Sequence, residues 1–165
     1  MGHDLDTGRI YTVTQSLAAM SSGQFDAVSL VASTLARLEI LKLEMQQGSS
    51  TLAGGIVELW RGSTGGSTAA AITAVNRNGW AAAPLAVATV TGASTGTLNS
   101  TSSAARLHAG GFEYDSGKYC YEPCFPPVIE YLQRFHARVT PGPTTGSTTP
   151  LAVTLTFREL GRVPN

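Results

Sequence analysis

The chain is predicted to fold as an all-β protein, an antiparallel β-sandwich or jelly-roll-like domain with at most one short helix. Three observations predict it. Short apolar runs alternate with polar residues at the two-residue period of a half-buried strand. Segments of Gly, Pro, Ser and Thr divide those runs at short intervals, as turns do. No helical periodicity alternates with them, which argues against a parallel sheet wrapped in helices. On this pattern about eight to ten strands are expected.

Residues 1–8 are polar and end in Gly8, so they read as a flexible arm; residues 9–161 read as a single domain and 162–165 as a tail. Arg9-Ile10-Tyr11-Thr12-Val13-Thr14 is rich in β-branched and aromatic residues and predicts the first strand. Residues 25–31 predict a second, with Phe25, Ala27, Ser29 and Val31 on one face and Asp26, Val28 and Leu30 on the other. The stretch 35–47 carries two periods at once. Leu38, Leu41 and Met45 have helical spacing, whereas Leu41, Leu43 and Met45 alternate with Lys42 and Glu44. A long strand is the reading taken, because its neighbours are strand-like and Gly48-Ser49-Ser50 closes it as a turn; an isolated helix is the alternative.

Gly55-Ile56-Val57-Glu58-Leu59-Trp60-Arg61 predicts another strand, ended by the polar loop 62–67. The alanines of 69–78 tolerate a short helix that Gly79 would end. Residues 85–91 alternate as a strand, and 92–103 is a loop of small residues. Strands follow near 105–109, 119–122 and 131–140. Pro141, Gly142, Pro143 and Pro150 mark a loop before the last strand, 151–160, where Leu151, Val153, Leu155 and Phe157 share a face. No internal repeat is visible.

Composition narrows the function. Only 13% of the 165 residues are charged and the formal net charge is zero. Lys and Arg form no cluster, so the basic stripe that a nucleic-acid partner requires is missing from the sequence. No apolar run of about 18 residues predicts a membrane span. Met1-Gly2-His3-Asp4-Leu5-Asp6 lacks the basic flank and apolar stretch of a signal peptide, so a cytoplasmic origin is expected. Neutrality means weak self-repulsion, which suits a protein that joins an assembly.

Residues able to carry chemistry are few. Cys120 and Cys124 lie in Cys-Tyr-Glu-Pro-Cys, and four extended positions span about 13 Å, too far for a disulfide unless Pro123 turns the chain. A zinc site needs two more ligands, and only His108 and His136 lie inside the domain. Reduced structural thiols are therefore expected, with no metal and no cofactor. Gly92-Ala93-Ser94-Thr95-Gly96 matches a hydrolase elbow, but the helix that should follow Ser94 is replaced by Thr97-Leu98-Asn99-Ser100-Thr101. Residues 111–118 have the wrong spacing for a phosphate loop, and Tyr119 stands where Ser or Thr is needed. Asn99-Ser100-Thr101 is a glycosylation sequon that matters only in a secretory pathway. Glu113, Asp115 and Glu122 read as a solvated turn, and His108 and His136 as satisfied structural histidines. No catalytic residue is assigned, and an enzyme is not expected.

Residues 112–127 hold five of the chain's twelve aromatics: Phe112, Tyr114, Tyr119, Tyr121 and Phe125. Aromatics with polar tips favour interfaces and sugar-binding grooves, but alternate rings also close a sandwich core. Both readings stand, and these five residues are the candidate partner-binding set.

Several segments carry a family resemblance. Gly8-Arg9-Ile10-Tyr11-Thr12-Val13, Gln47-Gly48-Ser49-Ser50 and Trp60-Arg61-Gly62-Ser63-Thr64-Gly65-Gly66 belong to the first half. Leu107-His108-Ala109-Gly110-Gly111-Phe112, Tyr121-Glu122-Pro123 and Thr154-Leu155-Thr156-Phe157-Arg158-Glu159-Leu160-Gly161 belong to the second. Over most of 9–161 the chain resembles the small phage and prophage capsid decoration, or cement, proteins; the Ala-rich 81–88 and the two cysteines depart from their pattern. The resemblance implies a β-sandwich homotrimer on the capsid surface of a virion assembled in the host cytoplasm. Its partners would be the major capsid protein and itself, and its task to bridge neighbouring capsid subunits. It implies no catalytic residues. The alternative, motivated by the aromatic segment, is a carbohydrate-binding module of a tail fibre or spike.

Overall fold

The computed structural model describes residues 9–18, 20, 23–48, 54–62, 70–77, 86, 88–93, 101, 104–113, 115–142 and 149–161. They form two six-stranded antiparallel sheets packed face to face, with no helix among the described residues. The first sheet contains β1 (Arg9–Leu17), β3 (Arg37–Gln47), β6 (Val75–Asn76), β9 (Lys118–Tyr121), β10 (Val128–Ile129) and β12 (Leu151–Leu160). Its order is β10-β3-β12-β1-β6, with β9 also on the edge of β3. The second contains β2 (Phe25–Val31), β4 (Gly55–Gly62), β5 (Ala71–Ile72), β7 (Thr89–Thr91), β8 (Ala105–Gly111) and β11 (Arg134–Pro141), in the order β5-β7-β2-β11-β4-β8.

β12 occupies the middle of the first sheet. It pairs with β1 from Arg9↔Glu159 to Leu17↔Leu151, and with β3 from Leu151↔Gln47 to Leu160↔Arg37. Alternation aims Tyr11, Val13, Leu151, Val153, Leu155 and Phe157 at the second sheet, and Tyr11 stacks on Phe157 with ring centroids 5.5 Å apart. The second sheet answers with Phe25, Val28, Leu30, Val57, Leu59, Phe135, Ala137 and Val139. Gln15 of β1 crosses between the layers, its side-chain amide donating to the Ala27 carbonyl.

Two bulges correct the expected faces. The β3–β12 register shifts between Thr156↔Lys42 and Phe157↔Ile40, which leaves Leu41 as the extra residue. Leu38 and Ile40 therefore share the inner face with Leu43 and Met45, and Leu41 drops out of the face assigned to it. The long strand expected over 35–47 is present from Arg37. A second shift, at Ala137/Arg138 against β2, leaves Ala27 as the extra residue. Phe25 consequently faces the core with Val28 and Leu30 rather than with Ser29 and Val31.

Other expectations change at the edges. Residues 70–77, within the stretch thought able to form a helix, contain β5 and β6 instead. β5, β6 and β10 have two residues each, too short to leave a periodic signal, and they raise the strand total among the described residues to twelve. The strand expected from 131 begins at Arg134, because Gln133 N–H donates to Glu130 C=O at 3.0 Å and closes a turn. Gly55 starts β4 with φ 120°, and a Cβ there would lie 2.5 Å from the Thr140 carbonyl oxygen, so only glycine fits that pairing. The arm 1–8, the tail 162–165, Ser94 and Asn99 lie outside the described residues.

The outer face of the second sheet is polar yet buried at its centre, over β2 and β11. Arg138 Nε donates to Asp26 Oδ1 at 3.0 Å, and Ser29 and His136 are sealed beside them. His136 is 1% exposed and neither ring nitrogen has a hydrogen-bond partner, which corrects the expectation of a satisfied histidine. Burial pushes its pKa down from the usual 6.5 to about 4, with Asp26 opposing and Arg138 and Arg134 adding to the shift.

Two predictions follow from this packing. Leu155, fully buried between Val13 and Leu43, should cost about 2–5 kcal/mol when changed to Ala, read from urea denaturation midpoints. For His136 the folded state disfavours the proton, so its contribution to stability is complete above pH 6.5 and is lost as pH falls toward 4. Charges facing it come from Arg134 and Arg138 on its own strand, Asp26 on β2 and Glu58 on β4. Melting temperature should therefore fall between pH 7 and 5, and His136→Leu should flatten that interval.

Candidate interaction surface

The aromatic segment spans the seam where β8 of one sheet meets β9 of the other. Phe112 follows β8, and Tyr119 stands on β9 opposite Met45. Their rings meet edge to face, centroids 6.2 Å apart, and both are buried in the core. The Tyr119 hydroxyl is buried without a partner, and desolvation pushes its pKa up strongly. His108 reaches across from β8, 6.3 Å from Tyr119 and 5.0 Å from Tyr121. A Cβ on Gly110 would meet Tyr119 Cε2 at 3.1 Å, so glycine lets the ring lie against the backbone. Tyr121 is half-buried, and burial raises its pKa too.

The five aromatic candidates therefore separate by role. Phe112 and Tyr119 close the sandwich, Tyr121 lines its rim, and Tyr114 lies outside the described residues. Phe125 alone stands in water, 91% exposed. It sits between Glu122 and β10, in a stretch stiffened by Pro123, Pro126 and Pro127, and Ile40 N–H donates to the Pro127 carbonyl at 3.1 Å to pin its far end.

Two residues that sequence reasoning missed lie just beyond. Tyr131 is 45% and Leu132 56% exposed, in the turn that precedes β11. Five large apolar side chains are exposed among the described residues, and three of them fall between 125 and 132. That concentration makes 125–132 the stretch of the described chain richest in exposed apolar side chains. Leu132 also holds φ 61°, a left-handed conformation that costs a side-chain-bearing residue about 1–2 kcal/mol. The available clue was the lack of β-branched residues in Glu130-Tyr131-Leu132-Gln133, a poor start for a strand.

The remaining candidates disperse. Cys120 and Cys124 are free and both exposed, so they are surface thiols rather than structural ones. The acidic trio does not converge: Glu113 accepts from Ser116 Oγ, while Glu122 lies 3.4 Å from Lys42 Nζ. Lys42 is shared with Glu44, and these bonds raise its pKa. A depression of about 180 Å³ over β3, β9 and β12 is lined by Glu44, Met45, Gln46, Lys118, Tyr119, Cys120, Ala152 and Thr154. It is smaller than the roughly 300–1,000 Å³ usual for a small-molecule site.

No family model, no curated protein and no solved structure matches this chain.

The division of the aromatics makes a paired prediction. Phe125→Ser should leave stability within about 0.5 kcal/mol of the parent, since it removes no buried contact. Tyr119→Ala should cost about 3 kcal/mol by emptying the seam, both measured by chemical denaturation.

Proposed function

We propose that the chain is a virion structural protein, a capsid decoration protein that acts as a homotrimer and bridges neighbouring subunits of the major capsid protein. One observation carries this reading: a neutral sandwich places three of its five exposed large apolar side chains, Phe125, Tyr131 and Leu132, within one eight-residue stretch, on turns held by prolines and by the pairing of β10 with β3. An aromatic anchor held rigid in the free protein loses little entropy when it enters a partner's pocket. The segmental resemblance to small phage cement proteins supplies the partner. In a trimer, three such anchors engage a shell at once, and modest single contacts multiply through effective concentration.

The mechanism is mechanical. Each copy needs a rigid body, a contact to the shell and a contact to its neighbours. Pairing of the first described strand with the last keeps residues 9 and 161 at the same end of the first sheet. Load entering at residue 9 or at residue 161 is thus received by one ladder, β1 on β12.

Sedimentation of the purified protein should give a trimer, and the protein should bind shells of its phage prepared without it. Phe125→Ser should lower occupancy on those shells by tenfold or more at fixed concentration. A monomer with no affinity for shells would reject the proposal, and glycan-array binding lost with Phe125 would replace it with a tail-fibre module.

A further inference from the structure

The buried polar face of the second sheet contains one rung whose hydrogen-bonding capacity is not met by the protein. Trp60 on β4 pairs with His136 on β11, His136 with Ser29 on β2, and Ser29 with Thr91 on β7. The four residues thus lie side by side across four adjacent strands. All point away from the core, because Leu59, Phe135, Leu30 and Val90 beside them point into it. Trp60 Nε1, Thr91 Oγ1 and both ring nitrogens of His136 are buried and have no protein partner.

We infer that this rung is a water-binding site, with ordered water joining Trp60 Nε1 to His136 and His136 to the Ser29–Thr91 side. The donor and acceptor inventory fits water. The indole N–H only donates, a neutral imidazole offers one donor and one acceptor, and a hydroxyl offers both. A water molecule accepts from Trp60 and donates to the bare nitrogen of His136; a second accepts the His136 N–H and meets Thr91. Strands stand about 4.8 Å apart, so Trp60 and Thr91, three spacings distant, need such intermediates to be joined.

An anion fits less well. The bare imidazole nitrogen would face it with a lone pair, and burial keeps that imidazole neutral near pH 7. The two guanidiniums on the neighbouring rungs both answer to Asp26, Arg138 through a 3.0 Å bond and Arg134 through its charge. Buried waters take up otherwise unmet polar groups in this way when two to four partners converge.

The test uses the whole protein at pH 7.5. A crystal structure at about 1.5 Å resolution should show a water oxygen within about 3.2 Å of both Trp60 Nε1 and a His136 ring nitrogen. In solution the Trp60 indole proton should give a nuclear Overhauser cross-peak to long-lived water. His136→Phe should abolish that cross-peak while the amide spectrum keeps its strand dispersion. Thr91→Val, on the far side of the rung, should leave it in place, which serves should the His136 variant fail to fold. Density for a tetrahedral anion, a dry rung, or a water cross-peak that survives in folded His136→Phe would overturn the inference.

Discussion

The position of β12 between β1 and β3 is the constraint on which the rest depends. Neither β1 nor β3 can satisfy the backbone groups along its inner edge until the last strand arrives, and buried N–H and C=O groups left unmet are too costly to persist. The hydroxyls of Thr12 and Thr156, 144 positions apart in the chain, lie 3.3 Å from each other across that ladder. Closing so long a loop adds little cost beyond a short one, since the entropy grows only as the logarithm of length. The cost falls on the rate instead: a fold dominated by such pairings forms slowly, and its unpaired edges are open meanwhile. The core follows from this ladder, because Leu155 and Phe157 on β12 are what Val13, Tyr11, Leu43 and Ile40 align with.

The two sheets use their outward faces differently. The first turns Thr12, Thr14, Thr154, Lys42, Glu44 and Cys120 outward, tied by ion pairs such as Arg158–Glu39 at 3.0 Å. Pairs that exposed contribute at most about 1 kcal/mol and weaken with salt. The second sheet buries Asp26, Ser29, His136 and Arg138 on its outward face. Breaking one member of such a buried pair strands a charge, so the Asp26–Arg138 bond constrains which strands lie side by side more than it adds net stability. A chain with few charges has placed three of them, Asp26, Arg138 and Glu159, where water is largely excluded.

Fold class was legible because alternation of apolar and polar residues is a period-two signal that survives local disturbance. Its phase was not legible. A bulge at Leu41 moves the inward face from Leu38 and Ile40 to Leu43 and Met45, and this phase change is what produced the helical spacing of Leu38, Leu41 and Met45. Ala27 does the same to β2. A bulge is a property of the pairing, two residues on one strand opposing one on its partner, and the partner, β12, lies more than a hundred residues away. The candidate surface was half legible for a related reason. An aromatic count finds residues 112–125, but only the register of β9 against β3 decides that Tyr119 turns inward and leaves Phe125 outside.

Leu132 shows how those levels meet. Glycine or asparagine would hold φ 61° at less cost, and a polar side chain would suit a position more than half exposed. Leucine satisfies neither the backbone nor the solvent. Strain of this sort persists only where its surroundings over-determine it, here the Glu130–Gln133 turn and the bond from Ala32 N–H to the Gln133 carbonyl at 2.9 Å. The turn would form more easily with another residue, so its own stability does not account for leucine. What leucine adds there is apolar surface held in a fixed direction, next to Tyr131 and in the same stretch as Phe125. That property is the one the proposed partner contact would use: an apolar side chain already fixed in direction loses little freedom on meeting a second surface.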